Sequence, residues 1–228
     1  MPRDVAVLLL AAGRGARAGE GEPKQFRPIA GVPMLLRALR PFASHPDVGQ
    51  IVVALPKAVA ASPPEWLTAA RGEILRFVAG GASRRESVAR ALRELERGMR
   101  IVLVHDAARP FVSRETIDAV IAVAREGEGA VAAVPVSDTL KVVDPRHVIT
   151  ATTPREGLWR AQTPQGFPRA MLEDAHAHVA MDDDATDDAM LAEARGHRLR
   201  IVPDSPLNLK ITSSQDFVLA DALASRLA

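Results

Sequence analysis

Five short apolar runs dominate the first 136 residues: "VAVLLL" (5–10), "QIVVAL" (50–55), "ILRFV" (74–78), "IVLVH" (101–105) and "GAVAAVPV" (129–136). A strand with one wet face alternates between apolar and polar residues. Runs with so little alternation need cover on both faces, which is the condition of a mainly parallel sheet packed between helices. The segments between them carry helical stripes, Val88, Leu92 and Leu95 in one and Ile117, Val120, Ile121 and Ala124 in another, the latter behind a cap at Ser113. Strands alternating with helices of this length predict an α/β protein built from βαβ units with right-handed crossovers.

The pattern changes from Ser137 to Pro164, where "SDTLKVVDPRHVITATTPREGLWRAQTP" has β-prone dipeptides, several Thr and Pro, and no helical stripe. Such a segment predicts an extended β-hairpin arm. If the arm projects, Val142, Val143, Val148, Ile149, Leu158 and Trp159 need a covering surface, which a second subunit supplies most simply. The competing reading folds the arm back on its own domain. Beyond it come a helix from about Pro168, another from about Thr186 to Arg195, a strand near "LRIVP", and a last helix opening at Ser213 with Asp216 three residues on. With no internal repeat or linker, the expectation is one domain over 1–228 with an arm at 137–164.

Lys and Arg number 29 against 28 Asp and Glu, so no global field draws nucleic acid or an anionic membrane. The absence of Tyr, with six Phe and two Trp, also leaves little for stacking bases. The chain has no cysteine, which excludes disulfides and thiolate chemistry. The apolar stretch at 5–12 is far too short for a membrane span and leads into Gly13 and Arg14 instead of a cleavage region. A cytoplasmic protein with no nucleic-acid or membrane partner is expected.

The most informative loop follows the first strand, in "LLLAAGRGARAGEGEPKQF" (8–26). Gly13, Gly15 and Ala18 satisfy the loose dinucleotide fingerprint G-x-G-x-x-G/A. That fold half would pass directly into a helix and place an acid at the end of its second strand. Here the chain stays irregular to about Pro33, and the second strand ends in "ALP"; a P-loop is absent too, because Lys24 is followed by Gln25. What remains is an open glycine-rich loop whose amides and basic side chains, Arg17 and Lys24, can enclose phosphates. The competing reading leaves Arg14, Arg17 and Lys24 as solvated residues near Glu20 and Glu22.

The segment "AAGRGARAGEGEPKQF" resembles the signature of nucleotidyltransferases that act on sugar phosphates. With "GGASRRESV" (80–88), "VHDAARPF" (104–111), "VSDTLK" (136–141), "QTPQGF" (162–167) and "NLKIT" (208–212), the chain resembles the 2-C-methyl-D-erythritol 4-phosphate cytidylyltransferase family over nearly its whole length. The resemblance implies a Rossmann-like sheet, a homodimer interlocked through the β-arm, and transfer of a cytidylyl group from CTP to the polyol phosphate in non-mevalonate isoprenoid biosynthesis. It implies Arg17, Lys24 and Lys210 as catalytic cations around the triphosphate. Nucleotide contacts would come from Ala11, Ala12, Gly13, Gly15, Gly80, Gly81, Ala82 and Ser87. The acceptor would meet Arg109, Thr139, Arg155, Thr163, Thr186 and Lys210, with Thr139 and Arg155 reaching the partner's site. Asp106, and with it Asp204, would associate with Mg2+, whose preference is for hard oxygen ligands.

Each of these residues also has a plainer reading. Asp106 can close an Asx-type turn, Lys210 can be a solvated lysine at a strand end, "GGAS" can be a strand-to-helix turn capped by Ser83, and Arg155 can pair with Glu156 at the surface. His105 is expected to pack as a neutral ring. The tract "MDDDATDDAM" (181–190) lacks EF-hand spacing and predicts an acidic turn before a helix. Three alternatives stand beside the main reading: a ribitol 5-phosphate cytidylyltransferase, a CTP sensor without turnover, and a nucleic-acid module, the last disfavoured by charge. Some members of the family carry a fused C-terminal domain, and the sequence ends soon after its last expected helix, so none is expected here.

Overall fold

The computed structural model describes residues 3–13, 23–70, 74–177 and 185–226. Its elements in chain order are β1 (Val5–Leu10), β2 (Pro28–Ile29), β3 (Val32–Pro33), α1 (Met34–Ala43), β4 (Val48–Leu55), α2 (Lys57–Ala61), α3 (Glu65–Thr68), β5 (Leu75–Ala79), α4 (Arg84–Leu92), β6 (Ile101–Asp106), α5 (Arg114–Arg125), β7 (Gly129–Pro135), β8 (Leu140–Val143), β9 (Ile149–Thr153), β10 (Trp159–Pro168), α6 (Arg169–Ala177), α7 (Asp188–Ala194), β11 (Leu199–Pro203) and α8 (Ser214–Ala224). Seven strands form one sheet in the order β11-β7-β10-β6-β1-β4-β5. All neighbours are parallel except β10, which runs antiparallel to both β6 and β7.

The apolar runs are covered on both faces, as their lack of alternation demands. Val5, Val7 and Leu9 of β1 join one core with Leu35, Leu39 and Phe42 of α1 and Ile117, Val120 and Ile121 of α5. Ala6 and Leu8 join the opposite core with Val88 and Leu92 of α4 and Leu172 of α6. Burying each such Val or Leu is worth roughly 1.5–3 kcal/mol, so the two layers hold the central strands firmly in register. Ser113 caps α5 by accepting from the Thr116 amide, and Ser213 with Asp216 forms a complete capping box at α8.

The arm is shorter than the sequence suggests. Within 137–164, β8 and β9 pair apart from the main sheet, while residues from Trp159 onward form β10 inside it. Pro164 argues against a central strand in the sequence, because proline cannot donate to a ladder. In the fold it sits where the β10–β7 register shifts between Ala161 and Gln165, so no paired amide is missed there.

The chain leaves β1 for β4 and β5 on one side of the sheet, then returns to β6 on the other side of β1. The C-terminal ends of β1 and β6 therefore flank a topological switch point, the crevice where open α/β sheets bind ligands. Leu10 pairs with Asp106 across it.

Candidate active site

A cavity of ≈ 590 Å³ opens at this switch point. Its walls come from the segments leaving three strands: Ala11–Gly13 after β1, Gly81–Ser83 after β5, and Asp106–Ala108 at the end of β6, with Lys24 and Lys210 closing the rim. Parallel strands deliver these segments to one edge, which is how residues far apart in sequence become neighbours.

Asp106 lies at the centre of the charge. Lys210 Nζ is 2.7 Å from its Oδ2 and Arg84 Nε 3.6 Å from its Oδ1. Burial by itself would raise the Asp106 carboxyl, but Arg84 and then Lys210 hold it down to about 2. Lys24 Nζ donates to the carbonyl of Ile211 at 2.9 Å, which brings the second lysine beside the segment that carries the first. Lys24 is held in place by its neighbour: the buried Gln25 amide donates to the Ala11 carbonyl at 2.8 Å, fastening the end of the loop to β1.

The Lys210 segment is fastened from below. Asn208 is buried, donates to Thr163 O at 2.8 Å and to Asp204 Oδ2 at 2.6 Å, and its carbonyl accepts from Arg109 Nη1 and Gln162 Nε2. The Ile211 amide then donates to Ala108 O at 2.8 Å, tying the segment to the end of β6. A lysine whose backbone is fixed on both sides loses little freedom when it meets a phosphate.

His105 supports Asp106 from inside the sheet. Its Nε2 donates to the Arg109 carbonyl at 3.0 Å, Thr163 Oγ1 lies 3.0 Å from its Nδ1, and the Asp106 amide donates to the same Thr163 oxygen at 3.1 Å. A carbonyl can only accept, so Nε2 carries the proton and Nδ1 accepts from the threonine. The ring is fully buried, tilted against Phe42 at 4.9 Å, and burial pushes its pKa down to about 4. It is a neutral packed ring, as expected.

Several expected contacts are placed differently. Asp204 is absent from the cavity wall; its Oδ1 accepts from Thr116 Oγ1 and its Oδ2 from Asn208, which links it to the Lys210 segment. Arg109 is buried with its Nη1 on the Asn208 carbonyl, while its Nε is buried with no hydrogen-bond partner among the described residues. Thr163 gives its hydroxyl proton to His105 and so has none for a substrate. Of the residues expected to read the base, Gly81, Ala82 and Ser87 line the cavity; the Gly81 amide donates to Ser87 Oγ, the Ala82 amide to Glu86 Oε2, and the Gly80 amide to Leu55 O. Ser87 Oγ in turn donates to Ser83 O, so it fastens the rim. Thr139 and Arg155 are exposed on or beside the arm, and Arg155 donates to the Ser137 carbonyl; Thr186 is exposed just before α7, whose cap is Asp187. Gly15 and Arg17, along with positions 181–184 of the acidic tract, lie outside the described residues.

Sequence reasoning missed Arg84, a cavity-lining cation that also pairs with the buried Asp188 at 2.6 Å. Burial opposes its charge, yet Asp188 and then Asp106 raise its pKa above the ordinary arginine value. The signal was there: Arg84 follows the cap Ser83 at the first position of α4, where the helix dipole disfavours a cation unless something else holds it.

Among the described residues no group of three or more His, Cys, Asp or Glu side chains could hold a metal, and no helix is long and apolar enough to cross a membrane.

The family model described as IspD: 2-C-methyl-D-erythritol 4-phosphate cytidylyltransferase matches residues 5–226. The 2-C-methyl-D-erythritol 4-phosphate cytidylyltransferase of Salinibacter ruber (strain DSM 13855 / M31) is 44% identical over 221 residues, covering 96% of this chain and 92% of its own. A bifunctional enzyme IspD/IspF from Chelativorans sp. (strain BNC1) is 45% identical over 224 residues; the match takes in 96% of this chain but only 55% of that longer protein. The crystal structure of 2-C-methyl-D-erythritol 4-phosphate cytidylyltransferase from Thermus thermophilus superposes with a TM-score of 0.79 at 38% identity, covering 97% of this chain and 99% of that one. A cation-lined crevice at the β1–β6 switch point and likeness along almost the entire sequence lead to one assignment: the chain belongs to the 2-C-methyl-D-erythritol 4-phosphate cytidylyltransferase family.

Proposed function

We propose that the chain transfers a cytidylyl group from CTP to 2-C-methyl-D-erythritol 4-phosphate, releasing pyrophosphate, as a step of non-mevalonate isoprenoid precursor synthesis. The observation that carries this reading is the convergence of Lys24, Arg84 and Lys210 on one crevice that also contains Asp106. An oxygen of the acceptor phosphate attacks the α-phosphorus of CTP in line; that P–O bond forms as the α–β bridging P–O bond breaks, and pyrophosphate carries away the electron pair. Both reactants are anions and no proton need move, so the protein's task is to cancel repulsion and hold the oxygens in line. In this reading Lys210 and Lys24 would meet the charge that grows on the α-phosphoryl oxygens, and loss of one such preorganised donor costs roughly 3–4 kcal/mol at the transition state. Arg17 belongs to the same proposal.

Asp106 fits a Mg2+ ion. It offers hard oxygens at a sheet edge facing the phosphate space, and Mg2+ commonly takes one or two carboxylates and draws its other ligands from phosphates and water. Bound there, the ion would neutralise charge on the phosphate chain. Asp204, committed to Thr116 and Asn208, is not part of this set.

The homodimer is also proposed. Leu140, Val142, Val143, Val148, Ile149, Leu158 and Trp159 are all exposed on or beside the β8–β9 hairpin, an apolar group that a second copy would cover. Thr139 and Arg155 would then bind the acceptor in the partner's crevice. Mixing Arg155→Ala with Lys24→Ala subunits is expected to restore one intact site per heterodimer, and no recovered activity would refute sharing.

The function is tested by measuring pyrophosphate release with CTP, UTP, ATP and GTP crossed against methylerythritol phosphate and ribitol phosphate. Release with CTP and methylerythritol phosphate is expected. Preference for ribitol phosphate would overturn the acceptor, and CTP binding without acceptor-dependent release would overturn the enzyme.

A further inference from the structure

Behind the crevice Arg84 joins a buried ion network whose other members the proposed reaction does not use. Asp188, at the first turn of α7, has a side chain only 1% exposed. Its Oδ2 accepts from Arg84 Nη1 at 2.6 Å and its Oδ1 from His176 Nε2 at 2.9 Å. Its backbone amide donates to Gln165 Oε1 at 3.1 Å, so β10, α4, α6 and α7 all meet at this carboxylate. Burial works to raise its pKa, but the His176 hydrogen bond and the Arg84 charge prevail and keep it ionised.

Arg84 is thus claimed by two carboxylates at unequal distances. It hydrogen-bonds Asp188, whereas its Nε stays 3.6 Å from Asp106 Oδ1, an ion pair outside hydrogen-bond range. Arg84 Nη2 is buried and has no partner among the described residues. A guanidinium with an unpartnered donor can pair with a carboxylate through two parallel hydrogen bonds, and Asp106, in the cavity wall, is within a short swing of Arg84. The bond to Asp188 competes with such a pair.

We propose that Asp188 is a positioning residue: it holds Arg84 back from Asp106, so that Asp106 Oδ1 stays open to the cation that accompanies the nucleotide. The inference rests on the Mg2+ reading of Asp106 given above. Outer partners of this kind typically alter metal affinity or activity about 10- to 100-fold when changed.

The test is a calorimetric titration of CTP into the full chain without acceptor, once in EDTA and once in Mg2+. Wild type is expected to bind CTP more tightly with Mg2+. Asp188→Asn, which keeps the shape and removes the charge, is expected to bind within about twofold of wild type in EDTA but to lose about tenfold or more of the Mg2+ enhancement. In the Arg84→Met background, where no guanidinium remains to swing, Asp188→Asn should leave the enhancement unchanged. A merely structural Asp188 would lower affinity equally in EDTA and Mg2+, or in both backgrounds, and either result overturns the proposal. No enhancement in wild type would overturn the metal reading and this inference together, whereas normal enhancement in Asp188→Asn overturns this inference alone. Should Asp188→Asn not fold, Asp188→Glu takes its place: its longer arm pushes Arg84 toward Asp106, and an undiminished Mg2+ enhancement refutes the tether.

Discussion

Replacing His105 with asparagine should remove a pH dependence of stability that the sheet interior creates. The imidazole is fully buried between Phe42, Thr163 and the Arg109 carbonyl, and burial lowers its pKa from 6.5 to about 4. The unfolded chain takes up a proton near 6.5, and the folded chain does not until about 4. Stability is therefore complete above the unfolded value, falls as pH drops through this window, and falls no further from this cause below the folded value. Between about pH 7.5 and about pH 4.5 the loss is about 2.5 kcal/mol, approaching about 3.5 kcal/mol at lower pH. Urea unfolding of wild type and His105→Asn at both pH values isolates the effect, because other titrating groups are common to the two proteins. The variant is expected to be less stable at the higher pH, since Nδ1 no longer accepts from Thr163, yet to lose about 2.5 kcal/mol less than wild type on acidification. Equal losses would show that His105 is not the buried neutral ring described here, and the support it gives to Asp106 through Thr163 would have to be abandoned.

Other outcomes follow from the same geometry. Lys210→Met removes the closest cation to Asp106 and should lower kcat/KM by roughly 10²- to 10³-fold in a pyrophosphate-release assay; a loss below about tenfold would remove Lys210 from the reaction. Gly80→Ala would place a Cβ 2.1 Å from the Ala12 Cβ, so a cost of about 1–3 kcal/mol in thermal or urea unfolding is expected, together with weaker CTP binding in calorimetry. A variant with wild-type stability and affinity would show that these two strand ends are not in close contact. Ile149→Asp, on the exposed hairpin, should shift the sedimenting species from dimer to monomer without altering the circular dichroism spectrum, and an unchanged dimer would exclude the arm as the interface.

The apolar runs and the stripes between them were enough to predict the parallel strands and the helices α4 and α5, because burial on both faces leaves its mark in each strand separately; α1, α2 and α3 were not read from the sequence. The opening of α8 at Ser213 was legible for a similar reason: a capping box is complete within one helical turn. The place of β10 was not legible. Antiparallel insertion between β6 and β7 is a choice among pairing partners, and the proline that argues against it is harmless only because of a register shift that forms in the assembled sheet. The same division runs through the site. Lys24 and Lys210 stand out in their motifs, but the partner that holds Arg84 at its helix start, Asp188, lies 104 positions away. Conversely, nothing in the sequence shows that Thr163 bonds to His105, that Asp204 accepts from Asn208, or that Arg109 gives its Nη1 to the Asn208 carbonyl.

By itself the sequence determined the α/β layering, the basic glycine-rich character of the first loop and the family, since hydrophobic pattern and local motif act over a few residues at a time. Tertiary structure alone decided which polar groups face the crevice and which are used up behind it. Hydrogen bonds and ion pairs are satisfied by whatever the fold brings within about 3 Å, and residue type does not reveal the partner.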